Sequence, residues 1–381
     1  MKTRWNSAAT EALMGLLRLA LGTEGDGQCS NWADGLTSYE AWKEVFDLAF
    51  SQKVAGILAD GIERMDGSTA AAQWLESDEG IPARDWLQGA VIDCEKRNRK
   101  LTRVLHHLAS LYATQGIEMM VLKGYGLSLD YPTPTHRAAG DIDIYLYGKG
   151  QEGDRWIEEQ MGIKAKQDEE KHSIFTLRGI SVENHATLIT TSEHRSRKPM
   201  ERRLEQLAHE ATCLNGMRIP TAQFNALFLP LHMGRHFVYG GMSLKQLTDW
   251  AVFTLVHGSE VDWNEVMALA DEGGYRPFLH CINQLVVEHY GVPADRVPPV
   301  QSRDNRADRM WQDISQNNKG KQLINCLFKK QRLVGTRHLV TGRWRYRMVY
   351  NDCYAWNLIE HSTYLFKGRY LKGTGNVWEK K

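Results

Sequence analysis

Residues 117–146 read IEMMVLKGYGLSLDYPTPTHRAAGDIDIYL. Residues 117–122 are a short apolar run closed by Lys123 and Gly124, a length that suits a buried strand better than a helix. Gly124 and Gly126 can take backbone angles closed to other residues, so the chain can turn sharply there and bring its N–H groups near a ligand. Residues 127–131 then form a short helical turn that Pro132 and Pro134 stop. A glycine turn at a helix start with a lysine beside it can cradle phosphate oxygens. In residues 140–146, GDIDIYL, side chains alternate across a strand, so Asp141 and Asp143 share one face while Ile142 and Ile144 turn to the core. Adjacent carboxylates repel unless something positive lies between them. Magnesium held by carboxylates and substrate phosphates meets that need; a solvated strand face is the plain alternative.

Residues 171–177 and 180–188 read as two strands joined at Arg178-Gly179, a hairpin. On the second, Ser181, Glu183 and His185 share the face opposite Val182, so a third carboxylate can come alongside the first two. A glycine turn, a strand with two aspartates and a neighbouring strand with one more acid is the set that two-metal phosphoryl chemistry requires.

Leu122-Lys123-Gly124, Tyr131-Pro132, Arg137, Asp141-Ile142-Asp143 and Glu183-x-His185 together resemble the uncharacterised nucleotidyltransferase family of the polymerase-beta-like superfamily. Residues 16–18 and 42–58 look like that family's opening helices, and residues 228–250, with His232, His236 and Asp249, like its helical second half. The resemblance implies that Asp141 and Asp143 bind the metals, that Glu183 is the third acid, and that the Gly124 turn holds the triphosphate. Tyr125 stands after Gly124 where the superfamily pattern has glycine or serine, and the gap to Asp141 is longer than usual. The expected reaction moves a nucleoside monophosphate from an NTP to an unidentified acceptor, with Mg2+ or Mn2+ and release of pyrophosphate. Nucleotide contacts are expected from Lys123, Gly124, Tyr125 and Arg137. Glu183 is placed to take the acceptor's proton. His185 is expected to fix Glu183 or the sheet edge.

The chain has 381 residues, enough for two domains or one large one with a full core. With 42% hydrophobic and 24% charged residues it has an ordinary globular composition. A net charge of +1 does not advertise a nucleic-acid or membrane partner for the molecule as a whole. No apolar run approaches the roughly 20 residues of a membrane span. Residues 1–5 are charged like the start of a signal peptide, but the apolar stretch 13–21 is interrupted by Arg18 and spaced like a helix, so the expected location is cytoplasmic. The 6 cysteines include no Cys-x-x-Cys pair, which argues against a zinc knuckle or a disulfide framework.

Periodicity predicts helices over 8–21, 39–64, 71–76 and 98–114, and again from residue 221 onward. The expected architecture is α+β: a small mixed sheet carrying the acids (98–215) between an N-terminal helical segment (1–97) and a C-terminal helical domain (216–381). Residues 164–171 read as a charged solvated loop. Residues 193–203 are rich in arginine, a solvated face or a phosphate-facing one. His232 and His236 are four apart and share a helix face, where one of them, or Arg235, can point into the cleft and touch the nucleotide. Residues 319–381 interleave basic and aromatic side chains, suited either to packing over an apolar seam or to gripping RNA. The competing functions are a non-catalytic nucleotide sensor or protein-interaction module, and an RNA-acting transferase that uses this tail. The acceptor class (small molecule, protein or RNA), the base of the NTP and the oligomeric state are not legible.

Overall fold

In the computed structural model, which describes residues 7–24, 32–168, 172–191, 194–299, 303–316 and 342–352, the strands join in one mixed sheet. Among the described residues they are β1 (Met120–Leu122), β2 (Ile142–Tyr145), β3 (Lys166–Asp168), β4 (His172–Leu177), β5 (Ile180–His185), β6 (Thr212–Leu214) and β7 (Met217–Ile219). Their order is β3-β4-β5-β2-β1-β7-β6. β1 runs antiparallel to β2, β2 parallel to β5, and β4–β5 is the expected hairpin, turned at Arg178 and Gly179, both at positive φ. The charged stretch expected to be a loop supplies β3, an edge strand whose alternation with solvent tolerates Lys166.

Each strand's alternation divides the apolar residues between two cores. Val121, Ile142, Ile144 and Val182 join a smaller core with Leu101, Val104, Leu105 and Leu108. Those leucines come from the second half of α5 (Ile81–Ala113), a helix opened by Pro82 in its first turn. Met120, Leu122 and Tyr145 face the other way, into a larger core built from the helices at both ends of the chain. Asp143 and Glu183 lie on that second face, where the sheet meets helices.

The helices of that face are α1 (Ser7–Leu21), α2 (Tyr39–Ser51), α3 (Ala55–Glu63), α4 (Ala70–Glu76), α8 (Lys198–Ala208), α9 (Ala222–Tyr239), α10 (Leu244–His257), α11 (Trp263–Glu272), α12 (Arg276–Tyr290), α13 (Asn305–Gln316) and α14 (Arg343–Val349). Short α6 (Gly124–Ser128) follows β1, and α7 (Gly150–Met161) lies against the smaller core. The single helix expected over 39–64 is two, because Lys53 takes φ 61 and breaks the turn between α2 and α3. Side-chain caps set several starts: Ser38 accepts from Ala41 N, Thr221 from Phe224 N, and Asp262 from Asn264 N. α1 crosses α3 so closely that a Cβ on Gly61 would run into the Leu16 carbonyl.

N-terminal and C-terminal helices share one core and are tied by polar contacts. Gln52 donates to Ile314 O at 3.0 Å and accepts from Leu244 N at 2.8 Å, and Thr23 donates to Tyr290 O. The boundary expected after residue 97 falls inside α5, which continues unbroken onto the sheet. Of the basic aromatic tail, α14 packs inward: Tyr346 and Val349 are buried, and Arg345 is buried and paired with Asp313. Residues 317–341 and 353–381 lie outside the described residues. The protein is α+β, a mixed sheet wrapped by helices from both ends of the chain.

Candidate active site

β1 ends at Leu122, and Lys123 has φ 44 and ψ −125, a conformation that costs a residue with a side chain about 1–3 kcal/mol. Gly124 follows at φ 21 and opens α6, so the helical turn begins at Gly124 rather than at Leu127. This strained turn leaves Lys123 Nζ 2.9 Å from Asp143 Oδ1 and 3.3 Å from His232 Nε2. The antiparallel β1–β2 register explains the meeting, because Leu122 pairs with Asp143 and Lys123 is the next residue.

Asp143 also pairs with Glu183 in the parallel β2–β5 ladder, two residues before Tyr145 pairs with His185. His185 Nε2 donates to Asp143 Oδ1 at 3.0 Å and lies 3.9 Å from Glu183 Oε2. His172 on β4 brings its Nε2 to 4.0 Å from the same Glu183 oxygen. Asp143, Glu183 and His185 each offer a ligand atom, and the three atoms lie within 4.8 Å of one another. Asp141 stands outside that trio. It lines a pocket with Gly124, Tyr125 and Asp143, and a Cβ on Gly124 would stand 3.8 Å from the Asp141 carbonyl oxygen. The glycine bend and the acid strand are therefore in contact.

A family model described as an uncharacterised nucleotidyltransferase matches residues 38–291, most of the chain. The chain belongs to the uncharacterised nucleotidyltransferase family. A search of the curated proteins and a search of the solved structures each found no match. The matched span holds Lys123, Gly124, Asp141, Asp143, Glu183 and His185, so the acid cluster belongs to the part of the chain that resembles nucleotidyltransferases.

Charge in this nucleotidyltransferase cluster is divided unequally. Burial disfavours the Asp143 carboxylate, but Lys123 and His185 outweigh it and hold Asp143 well below the usual carboxylate range. For Glu183 burial and the neighbouring Asp143 charge act together, only partly offset by Lys123, and its carboxyl is pushed up to about 7. Burial opposes the Lys123 ammonium, yet Asp143, Asp141 and Glu183 raise it above its ordinary value. His232 Nε2 lies 3.3 Å from Lys123 Nζ and 2.9 Å from His236 Nε2. The two histidines bond one another and reach the acid cluster through Lys123.

The remaining expected contacts fall in several places. Arg137, expected to add positive charge near the phosphates, is buried and spent on Asp249, with Nε at 2.6 Å and Nη2 at 2.8 Å. The bidentate pair uses the donors a phosphate would need. Tyr131 donates to the same Asp249 oxygen at 2.6 Å, so the residues before β2 are pinned to α10. Tyr125 lines the Gly124 pocket and meets the edge of His106. Arg235 lies with His232 on the wall of a different cleft. Two groups escaped the sequence reading. His172 lay beyond the quoted Glu-x-His pattern, and only its antiparallel pairing with His185 brings it to Glu183. Lys245, largely buried, reaches to 3.9 Å from Asp249 Oδ2; burial and Arg137 lower it to about 8.

Proposed function

We propose that this protein transfers a nucleoside monophosphate from an NTP to a hydroxyl or phosphate acceptor, releasing pyrophosphate, in the cytoplasm. The observation that carries the reading is the register of β2 on β5, which sets Asp143 and Glu183 side by side with the Gly124 bend against Asp141. The donor set fits a divalent cation of the Mg2+ or Mn2+ class, since the carboxylate oxygens of Asp143 and Glu183 converge within one small space. Asp143, Glu183 and Asp141 would hold it, with His185 orienting Asp143. When bound, the ion supplies neutralisation of phosphate charge and activation of the attacking oxygen.

The side chains have separable tasks. Asp143 stays ionised across the neutral range because Lys123 and His185 hold it so. Glu183, pushed up to about 7, is matched to accept a proton from the acceptor near neutral pH. Gly124 lines the pocket shared with Asp141, and the N–H groups of its turn would hold phosphate oxygens, with Lys123 as their cation. A nucleotide sensor is the second reading. Lys123 favours it, standing as a fixed cation 2.9 Å from the Asp143 oxygen that a metal would take. Incubating the protein with each labelled NTP, beginning with ATP, with Mg2+ or Mn2+ and cell extract separates the two. Labelled product and pyrophosphate that vanish in Asp143→Asn support the transferase; saturable NTP binding without pyrophosphate release replaces it with the sensor.

A further inference from the structure

A second cleft lies between the loop after β5 and helix α9, with Tyr350 on a further wall. It shares no lining residue with the Gly124 pocket, yet His232 on its wall is the residue bonded to Lys123, so it adjoins the acid cluster. Its polar wall consists of Thr190, Arg197, His232 and Arg235; the rest is aliphatic or aromatic.

Arg197 is 3% exposed. Its Nη2 donates to Val349 O at 2.6 Å, and the Tyr275 and Tyr350 rings lie 5.1 and 4.8 Å from Cζ. Its Nε is buried with no hydrogen-bond partner, and no carboxylate among the described residues forms an ion pair with it. Asp352, whose charge it feels, is engaged by His194 at 3.1 Å and Ser196 at 2.9 Å. Thr190 Oγ1, on the same cleft, is likewise buried without a partner. Glu201 accepts from Leu188 N at 2.8 Å and Ile189 N at 2.7 Å, which fixes the loop that carries Thr190.

A buried guanidinium without a counter-charge is costly, and orphaned buried donors are rare in folded proteins. Two such atoms, on residues that line one cleft, suit an oxyanion. We infer that this cleft is the subsite for a phosphate group carried by the acceptor, a phosphate monoester on a compact organic body. Guanidinium groups from Arg197 and Arg235 suit a dianionic phosphate better than a carboxylate, and the apolar wall suits the body that carries it. The word acceptor rests on the transferase reading; the anion site does not.

Calorimetric titration of the full chain with inorganic phosphate, in EDTA so that no metal can bridge, tests the site directly. Phosphate is expected to bind, with affinity falling about tenfold or more in Arg197→Gln and several-fold in Thr190→Val. Absence of phosphate binding, or equal affinity in both variants, overturns the subsite, and acetate binding as tightly as phosphate overturns the phosphate assignment. Arg197→Gln also loses the tie to Val349, so melting curves accompany it; Thr190→Val removes a hydroxyl with no partner and keeps the test decisive if the arginine variant does not fold. Arg197-dependent phosphate binding without any nucleotide turnover would leave the anion site standing and remove the transferase. Turnover without such binding would remove the subsite alone.

Discussion

Lys123 Nζ lies 2.9 Å from Asp143 Oδ1, so a residue held at φ 44 places a fixed positive charge beside the acid of β2. Lys123 is thereby the counter-ion of the metal-free cluster. Lys123→Met should lower the stability of the metal-free protein, toward the low end of the about 3–5 kcal/mol that breaking a buried pair costs, since His185 still bonds Asp143. Added Mg2+ should recover much of that loss. Unchanged melting of Lys123→Met in EDTA would show that the pair carries no stabilisation.

Asp143 and Glu183 are the acids that meet, while Asp141 stands with the Gly124 bend. Asp143→Asn and Glu183→Gln are each expected to lower pyrophosphate release by roughly a thousandfold, the equivalent of about 4 kcal/mol of barrier. Asp141→Asn should cost less. A coupled pyrophosphate assay ranks the three, and an Asp141 defect as deep as that of Asp143 would contradict the unequal placement.

Glu183 links the site to pH. Its folded carboxyl titrates at about 7 against an ordinary 4.5, so the metal-free fold favours the uncharged form. The stabilisation this gives is complete below pH 4.5 and is lost as pH rises through about 7. A metal requires the anion, so Mn2+ affinity should rise by up to about tenfold per pH unit between pH 6 and 7 and then level off. Binding followed by the Mn2+ paramagnetic signal should flatten in Glu183→Gln; a wild-type profile that is flat over this interval would refute the assignment.

Arg137 and Asp249 form a bidentate pair that joins the residues before β2 to α10. Asp249→Asn leaves a buried guanidinium uncompensated and should destabilise the protein by roughly 3–5 kcal/mol. The double variant Arg137→Met with Asp249→Leu, which removes both charges, should melt closer to wild type than Asp249→Asn does. If nucleotide affinity falls in the double variant while its fold is intact, Arg137 has a role at the phosphates after all.

Much of this site was legible in the chain itself, for a local reason. Period-two alternation is a property of neighbouring residues, so DIDIY alone determined that Ile142 and Ile144 seek the core and that Asp143 between them turns to the opposite face. The glycines after Lys123 likewise determined a turn, and Arg178-Gly179 a hairpin. Tertiary structure decided what those faces meet. The β2–β5 pairing chose Glu183 over Asp141 as the partner of Asp143, and helix α9 brought His232 to Lys123 across 109 positions. It also paired Arg137 with Asp249, 112 positions on, and left the Nε of buried Arg197 without a hydrogen-bond partner among the described residues. Charges far apart in sequence carry no mark of one another, since only packing of the two cores against the sheet brings them within reach and sets which of them burial leaves uncompensated.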